Sequence, residues 1–338
     1  MYNISRRNRF LLTCIGGLML FPALARGQQN LQFSQYVFNM LSVNPAYAGY
    51  KEDLYLNAIY RKQWVGFPGA PVTAAVSLDG VVKSKDERVG LGLQVTYDKL
   101  GPQDATAFYG MYSYRIPLDE EGTRRLCFGI GAGATQYSID GTTLQFNDDG
   151  DPTIPAARVS TLIPDARFGI YYFTPRFYAS ASVMDLFSLY TDPTRYYWKG
   201  NQYKTIRKTQ HLYLTTGTVF DLGENIKLKP SILIKEDFKG PTNVDLTAFL
   251  LIAEKLWVGG SYRTGVHLWN KSNLPSYLDP LDAASAMVEF YANDRFRIGY
   301  AYDLTISKLA SAQSGSHEIS LGITFPGKRT RILSPRYF

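Results

Sequence analysis

The stretch "VGLGLQVTY", residues 89–97, decides how the chain is read. Val89, Leu91, Leu93, Val95 and Tyr97 fall on one face of an extended strand, and Gly90, Gly92, Gln94 and Thr96 on the other. A strand turns successive side chains to opposite faces, whereas a helix would scatter these residues around its axis. "LCFGIGAGAT" (126–135) repeats the scheme, with Leu126, Phe128, Ile130, Ala132 and Ala134 opposite Gly129, Gly131 and Gly133. Near the end, Ile319, Leu321, Ile323 and Phe325 oppose Glu318, Ser320, Gly322 and Thr324.

Other strands place charge on the face opposite the apolar one. In "NIKLKPSILIK" Lys227, Lys229 and Lys235 oppose Ile226, Leu228, Ile232 and Ile234; in "RFRIGYAYD" Arg297 and Asp303 oppose Phe296, Ile298, Tyr300 and Tyr302. A β-sandwich would bury the apolar face against a second sheet. A membrane barrel turns it to lipid and keeps the charges in a wet lumen.

Candidate strands run over 52–61, 70–81, 88–98, 103–116, 124–138, 165–173, 176–186, 209–221, 225–237, 241–253, 255–266, 282–292, 294–303 and 316–326, about fourteen in all. An even number suits a bacterial single-chain barrel. The connections sort by parity. After even-numbered strands they are tight ("VKSKDE", "PLDEEGT", "TP", "LGE"); after odd-numbered ones several are long, at 139–164, 187–208, 267–281 and 304–315. Outer-membrane barrels have short periplasmic turns and longer external loops, and a soluble sandwich has no reason to divide them so. The fold class is therefore all-β, a transmembrane antiparallel β-barrel over 52–326. Its many Tyr residues (25 in the chain) suit an interfacial aromatic girdle.

Composition and termini agree. "MYNISRRNRF" followed by "LLTCIGGLMLFP" and Ala23-Leu24-Ala25 has the layout of a secretory signal over 1–25, and its apolar run falls short of the ~20 residues a spanning helix needs. Thr13 stands before Cys14 where a lipoprotein signal wants a small residue. Removing the leader's three Arg lowers the net charge from +7 to 7 − 3 = +4, spread along the chain except for "KRTR" (328–331), so nucleic acid is not expected. Cys127 is then the only cysteine, and His211, His267 and His317 lie far apart, which leaves no disulfide and no metal spacing. The glycine runs lie within strands rather than at strand-to-helix turns, so they are not phosphate loops. "NDDGDP" (147–152) lacks the spaced ligands of a calcium loop. Arg297 and Glu318, on neighbouring strands, read as a lumenal ion pair. No catalytic residue, cofactor or metal is assigned, and an outer-membrane lipase is the weakest reading.

Two terminal segments remain. Residues 26–51, with "SQYVFNMLSVNPAYAGY", are too polar for a spanning helix and too aromatic for an idle linker. They are expected to begin on the periplasmic side, with a helical turn over 34–41 capped by Ser34, and to pack Tyr36, Phe38, Met40 and Tyr47 into the mouth or lumen. Asn44 and Pro45 mark its end. Residues 327–338 form a basic tail ending in Arg336, Tyr337 and Phe338, expected in the periplasm either on a partner or folded back into the lumen. In the first external loop, Arg61 and Trp64 are residue types favoured as interface anchors.

The same segments resemble a known family. "QYVFNMLSVNPAYAGY", "YRKQWVGFPGAPVT" (60–73), "GSHEISLGITFP" (315–326) and the terminal "SPRYF" are similar, in order, to the signature blocks of the PorP/SprF family, with weaker echoes in "GLGLQVTYDKLGP", "KPSILIK" and "WVGGSYR". The resemblance implies an outer-membrane barrel of type IX secretion and gliding motility. It would help secreted adhesins or other substrates reach or stay on the cell surface, with a periplasmic peptidoglycan-binding lipoprotein as a further partner besides outer-membrane lipid. On their residue types and positions, partner-binding roles are expected for Tyr36, Phe38, Asn44, Pro45, Tyr47, Arg61, Trp64, Arg336, Tyr337 and Phe338. The competing reading is a pore for small solutes.

Overall fold

In the computed structural model, residues 31–84, 87–143, 157–189, 209–238, 240–266, 268, 271, 281–327 and 337–338 are described. The expected leader, the acidic loop 147–152, the 328–331 cluster and Arg336 lie outside them. The strands are β1 (Leu54–Lys62), β2 (Val72–Val81), β3 (Val89–Leu100), β4 (Gln103–Pro117), β5 (Arg125–Asp140), β6 (Arg158–Phe173), β7 (Phe177–Met184), β8 (His211–Thr218), β9 (Phe220–Gly223), β10 (Ile226–Glu236), β11 (Thr242–Ile252), β12 (Leu256–Val266), β13 (Leu281–Tyr291), β14 (Phe296–Thr305) and β15 (Ser316–Phe325).

Each strand pairs antiparallel with its chain neighbour, and β15 pairs back onto β1 from Leu54↔Phe325 to Lys62↔His317, which closes the barrel. β8 and β9 are one barrel strand interrupted at Val219. Both pair with β10, and the frame set by Ser231↔Gly217 continues to Leu228↔Phe220. The closed structure thus has fourteen strands across its wall. Closure matters physically, because an open edge would leave unpaired N–H and C=O groups in hydrocarbon. β6 begins at Arg158. It is longer than the 165–173 expected from the sequence because it pairs with β5 as far as Asp140↔Arg158, through residues whose polarity does not alternate.

The alternation in 89–97 has the expected outcome. Leu91, Leu93 and Val95 are 49%, 49% and 44% exposed, whereas Gln94 and Thr96 between them are 1% and 4%. The apolar face of the wall points outward and the polar face inward, the reverse of a soluble domain. No helix among the described residues is long and apolar enough to cross a membrane.

One rim carries the tight connections 82–88, 118–124, 174–176, 224–225, 253–255 and 292–295, and the start of β1. The other carries 63–71, 101–102, 141–157, 185–210, 237–241, 267–280 and 306–315. The interior is occupied by the chain's own N-terminal segment. It descends in three single 3₁₀ turns (Tyr36–Phe38, Met40–Ser42 and Pro45–Tyr47) rather than in one helical turn over 34–41. Ser34 caps no helix; its hydroxyl donates to Asp303 instead.

Candidate functional site: the filled lumen

The lumen is lined by inward residues from all around the wall, and the N-terminal segment meets them level by level. At the long-loop end Arg61, from the last turn of β1's alternation, donates through Nη1 to Glu318 Oε2 at 2.9 Å and to Ser34 Oγ at 2.9 Å. Its Nη2 donates to Asp303 Oδ2 at 2.6 Å. The backbone N–H groups of Ser34 and Gln35 donate to the two Glu318 oxygens at 2.9 and 2.7 Å. Arg61 and Glu318 are 2% and 0% exposed, so this is a buried ion cluster with its lone pairs largely filled by the segment's backbone. Arg263 joins the same level through Asp245, with Nε 2.5 Å from Oδ1.

Halfway down, Asn39 Oδ1 accepts from Asn57 Nδ2 at 3.1 Å. Arg297 Nη2 donates to Asn57 Oδ1 at 2.7 Å while its Nη1 pairs with Glu289. The expected Arg297–Glu318 ion pair is therefore corrected. Both side chains are lumenal, but Arg297 pairs with Glu289 and Glu318 with Arg61. The register explains the change, since Arg297 lies opposite Gly322 and Glu318 opposite Ala301, four residues apart along the strands.

Lower still, Ser42 Oγ accepts from Gln94 Nε2 at 2.6 Å. The Asn44 amide donates to the carbonyls of Ile170 and Ala181 at 3.0 and 3.2 Å, while its Oδ1 caps the next turn by accepting from Ala46 N–H. Ser182 and Ser113 donate to the carbonyls of Val43 and Ala46. Wall and segment fit so closely that a Cβ on Gly129 would collide with the Pro45–Ala46 peptide, and one on Gly90 with the Ala48 carbonyl. These inward glycines mark the closest approach of two backbones.

At the short-turn end an aromatic cluster completes the filling. Tyr47 and Tyr50 stack at 4.9 Å, and Tyr171, Phe173 and Tyr178 pack around them. Tyr337 and Phe338 sit in the same place. Phe338 lies 4.7 Å from the Tyr178 ring, its carbonyl accepts from Tyr47 OH at 2.8 Å, and its N–H donates to Tyr50 OH at 3.3 Å. Lys229 Nζ donates to the Tyr337 carbonyl at 2.6 Å and lies over the rings of Phe38, Trp257 and Phe338 at 5.1, 5.2 and 5.1 Å. Of the two placements considered for the tail, its described end is folded into the lumen.

The structure gathers most of the singled-out residues in this interior, where Tyr36, Asn44, Pro45, Tyr47, Arg61 and Phe338 are buried and Phe38 and Tyr337 half-buried. Arg61 is not in the external loop, as the sequence reading had it, but on the inner wall. Trp64 stands apart in the 63–71 connection, half-buried, with its backbone N–H donating to Ser316 Oγ at 3.2 Å. Sequence reasoning missed Ser34, Gln35, Asn57, Asp303 and Lys229 as the segment's anchors. The inward glycines were the one signal for its course. The segment also begins at a different rim from the one expected. Phe33 packs on Ile59 and Ala75, and Leu31 and Gln32 line a cavity of about 320 Å³ with Trp64, Pro71, Leu100 and Thr305, all at the long-loop end. Among the described residues no cluster of His, Cys, Asp or Glu is placed to hold a metal.

A closed fourteen-stranded barrel with an apolar exterior, a polar interior and loops divided by rim is an outer-membrane protein. Over residues 25–323 the chain matches the family described as type IX secretion system membrane protein PorP/SprF, and it belongs to that family. No curated protein matches it. Among solved structures it is similar to the CymD monoaromatic hydrocarbon channel, with a TM-score of 0.50 and 10% identity over 90% of this chain and 96% of that one. Omp33 of Acinetobacter baumannii (0.44, 10%, 81% and 98%) and a Pseudomonas aeruginosa FadL homologue (0.42, 12%, 90% and 96%) are also similar.

Proposed function

We propose that this barrel is a non-enzymatic outer-membrane component of type IX secretion that helps secreted adhesins or other substrates reach or stay on the cell surface, rather than a pore for small solutes. The observation that supports this reading is the lumen. A conducting pore needs a continuous wet path, and here a buried ion cluster, a set of backbone-to-wall hydrogen bonds and an aromatic cluster follow one another along the axis. Trp64 and Phe67 in the 63–71 connection offer apolar contact to a surface partner, and Phe67 is 42% exposed. A peptidoglycan-binding lipoprotein would meet the opposite rim. In this reading Tyr36, Asn44, Tyr47, Arg61 and Phe338 serve partners by holding the barrel's shape, while Trp64 touches them.

Purification from outer membranes in mild detergent, with identification of what accompanies the barrel, tests this. A secreted surface protein that is retained by the intact barrel and lost from a Trp64→Ala, Phe67→Ala variant is the expected result. A solitary barrel, in cells whose surface protein is unchanged by deleting the gene, would overturn it.

A further inference from the structure

We infer that the N-terminal segment is threaded through the barrel from the outside inward, so that Leu31 lies toward the cell surface although β1 starts in the periplasm. Two ends of one segment fix this. Ser34 and Gln35 are held by Arg61, Asp303 and Glu318, and Phe33 by Ile59 and Ala75, on the long-loop side of the wall. Gly49 N–H donates to Asp79 at 2.8 Å, and the Glu52 carbonyl accepts from Val81 N–H, at the short-turn rim where Leu54 begins β1. Between them the contacts step in order along the axis through Asn57, Gln94, Ile170 and Ser113. β1 itself covers the same span in nine residues, about 30 Å at roughly 3.4 Å per residue. The segment is thus a full traverse of the wall's height, not a hairpin dipping in from below.

The rims are oriented by their connections, short turns lying in the periplasm and long loops outside. Leu31 and Gln32 line the cavity beside Gln63, Trp64 and Pro71 of the 63–71 connection, at the long-loop rim. The inference does not depend on which substrate the barrel serves.

Insertion of a short hydrophilic epitope between residues 30 and 31 tests it, with the same epitope after Pro68 as the external control and after Glu120 as the periplasmic one. On intact cells an antibody should bind the first two insertions alike and reach the third only after the outer membrane is permeabilised. If the insertion at 30/31 behaves like that at Glu120, the threading is overturned. If the one after Pro68 also needs permeabilisation, the orientation on which it rests falls instead. Where an insertion blocks assembly, Leu31→Cys with a membrane-impermeant maleimide gives the same reading. Cys127 is 1% exposed and adds no background. Labelling on intact cells is expected, and labelling only after permeabilisation would overturn the inference.

Discussion

Arg61 ties together three parts of the chain that are far apart in sequence: β1, the N-terminal segment at Ser34, and the carboxylates Asp303 and Glu318 on β14 and β15. Its guanidinium matches this task, since a planar fork can serve several acceptors at once while staying charged. Replacing it takes the paired cation from Glu318 and leaves Asp303 with Arg263, 3.9 Å away. Arg61→Met is expected to cost about 3–5 kcal/mol, as breaking a buried ion cluster does, and to lower the temperature at which the folded barrel loses its compact migration in detergent gels. Arg61→Lys should recover only part of the loss, because one ammonium cannot reach Ser34, Asp303 and Glu318 together. Equal thermal midpoints for Arg61→Met and the wild type would show that the cluster contributes nothing. The sequence placed Arg61 in a loop because "RKQW" ends a strand pattern, and nothing in that pattern tells which side of the wall the last residue faces.

At the scale of elements, strand and segment are fitted to each other. Gly129 and Gly110 are both wall glycines on adjacent strands, yet they differ in what a side chain would meet. Gly129 faces the Pro45–Ala46 peptide, whereas at Gly110 the nearest atom to an added Cβ is Ala132 O at 4.0 Å. Gly129→Val should destabilise the barrel by about 1–3 kcal/mol through overpacking, while Gly110→Ala should leave its heat-modifiable migration unchanged. The reverse ranking would mean that the segment does not press on β5. The strands themselves were legible because a wall that is apolar outside and polar inside writes its period into every residue. The course of the segment was not. Its anchors pair residues distant in sequence, up to 284 positions apart as Ser34 does with Glu318, and no local period carries such information. Its composition pointed to the lumen, but length and aromatic content are equally compatible with either direction of travel. The Ser34 cap failed for a related reason, because a buried carboxylate competes for the hydroxyl that would otherwise satisfy a helix N-terminus.

At the scale of the molecule, the fold is a barrel built around its own N-terminal segment, with the last two residues completing the filling from the short-turn end. In the proposed reading the lumen is a structural core rather than a passage, and the loops, the rims and the outer face meet other molecules. Family membership fixes the system in which it works; the proposed part there is to hold or escort rather than to conduct. Single-channel recording in planar bilayers tests that claim most directly, comparing the intact protein with a variant lacking residues 31–50. The account predicts a silent membrane for the intact barrel and steady openings for the shortened one, because the wall would close around an empty polar lumen. Steady conductance from the intact barrel, unchanged by the deletion, would contradict it.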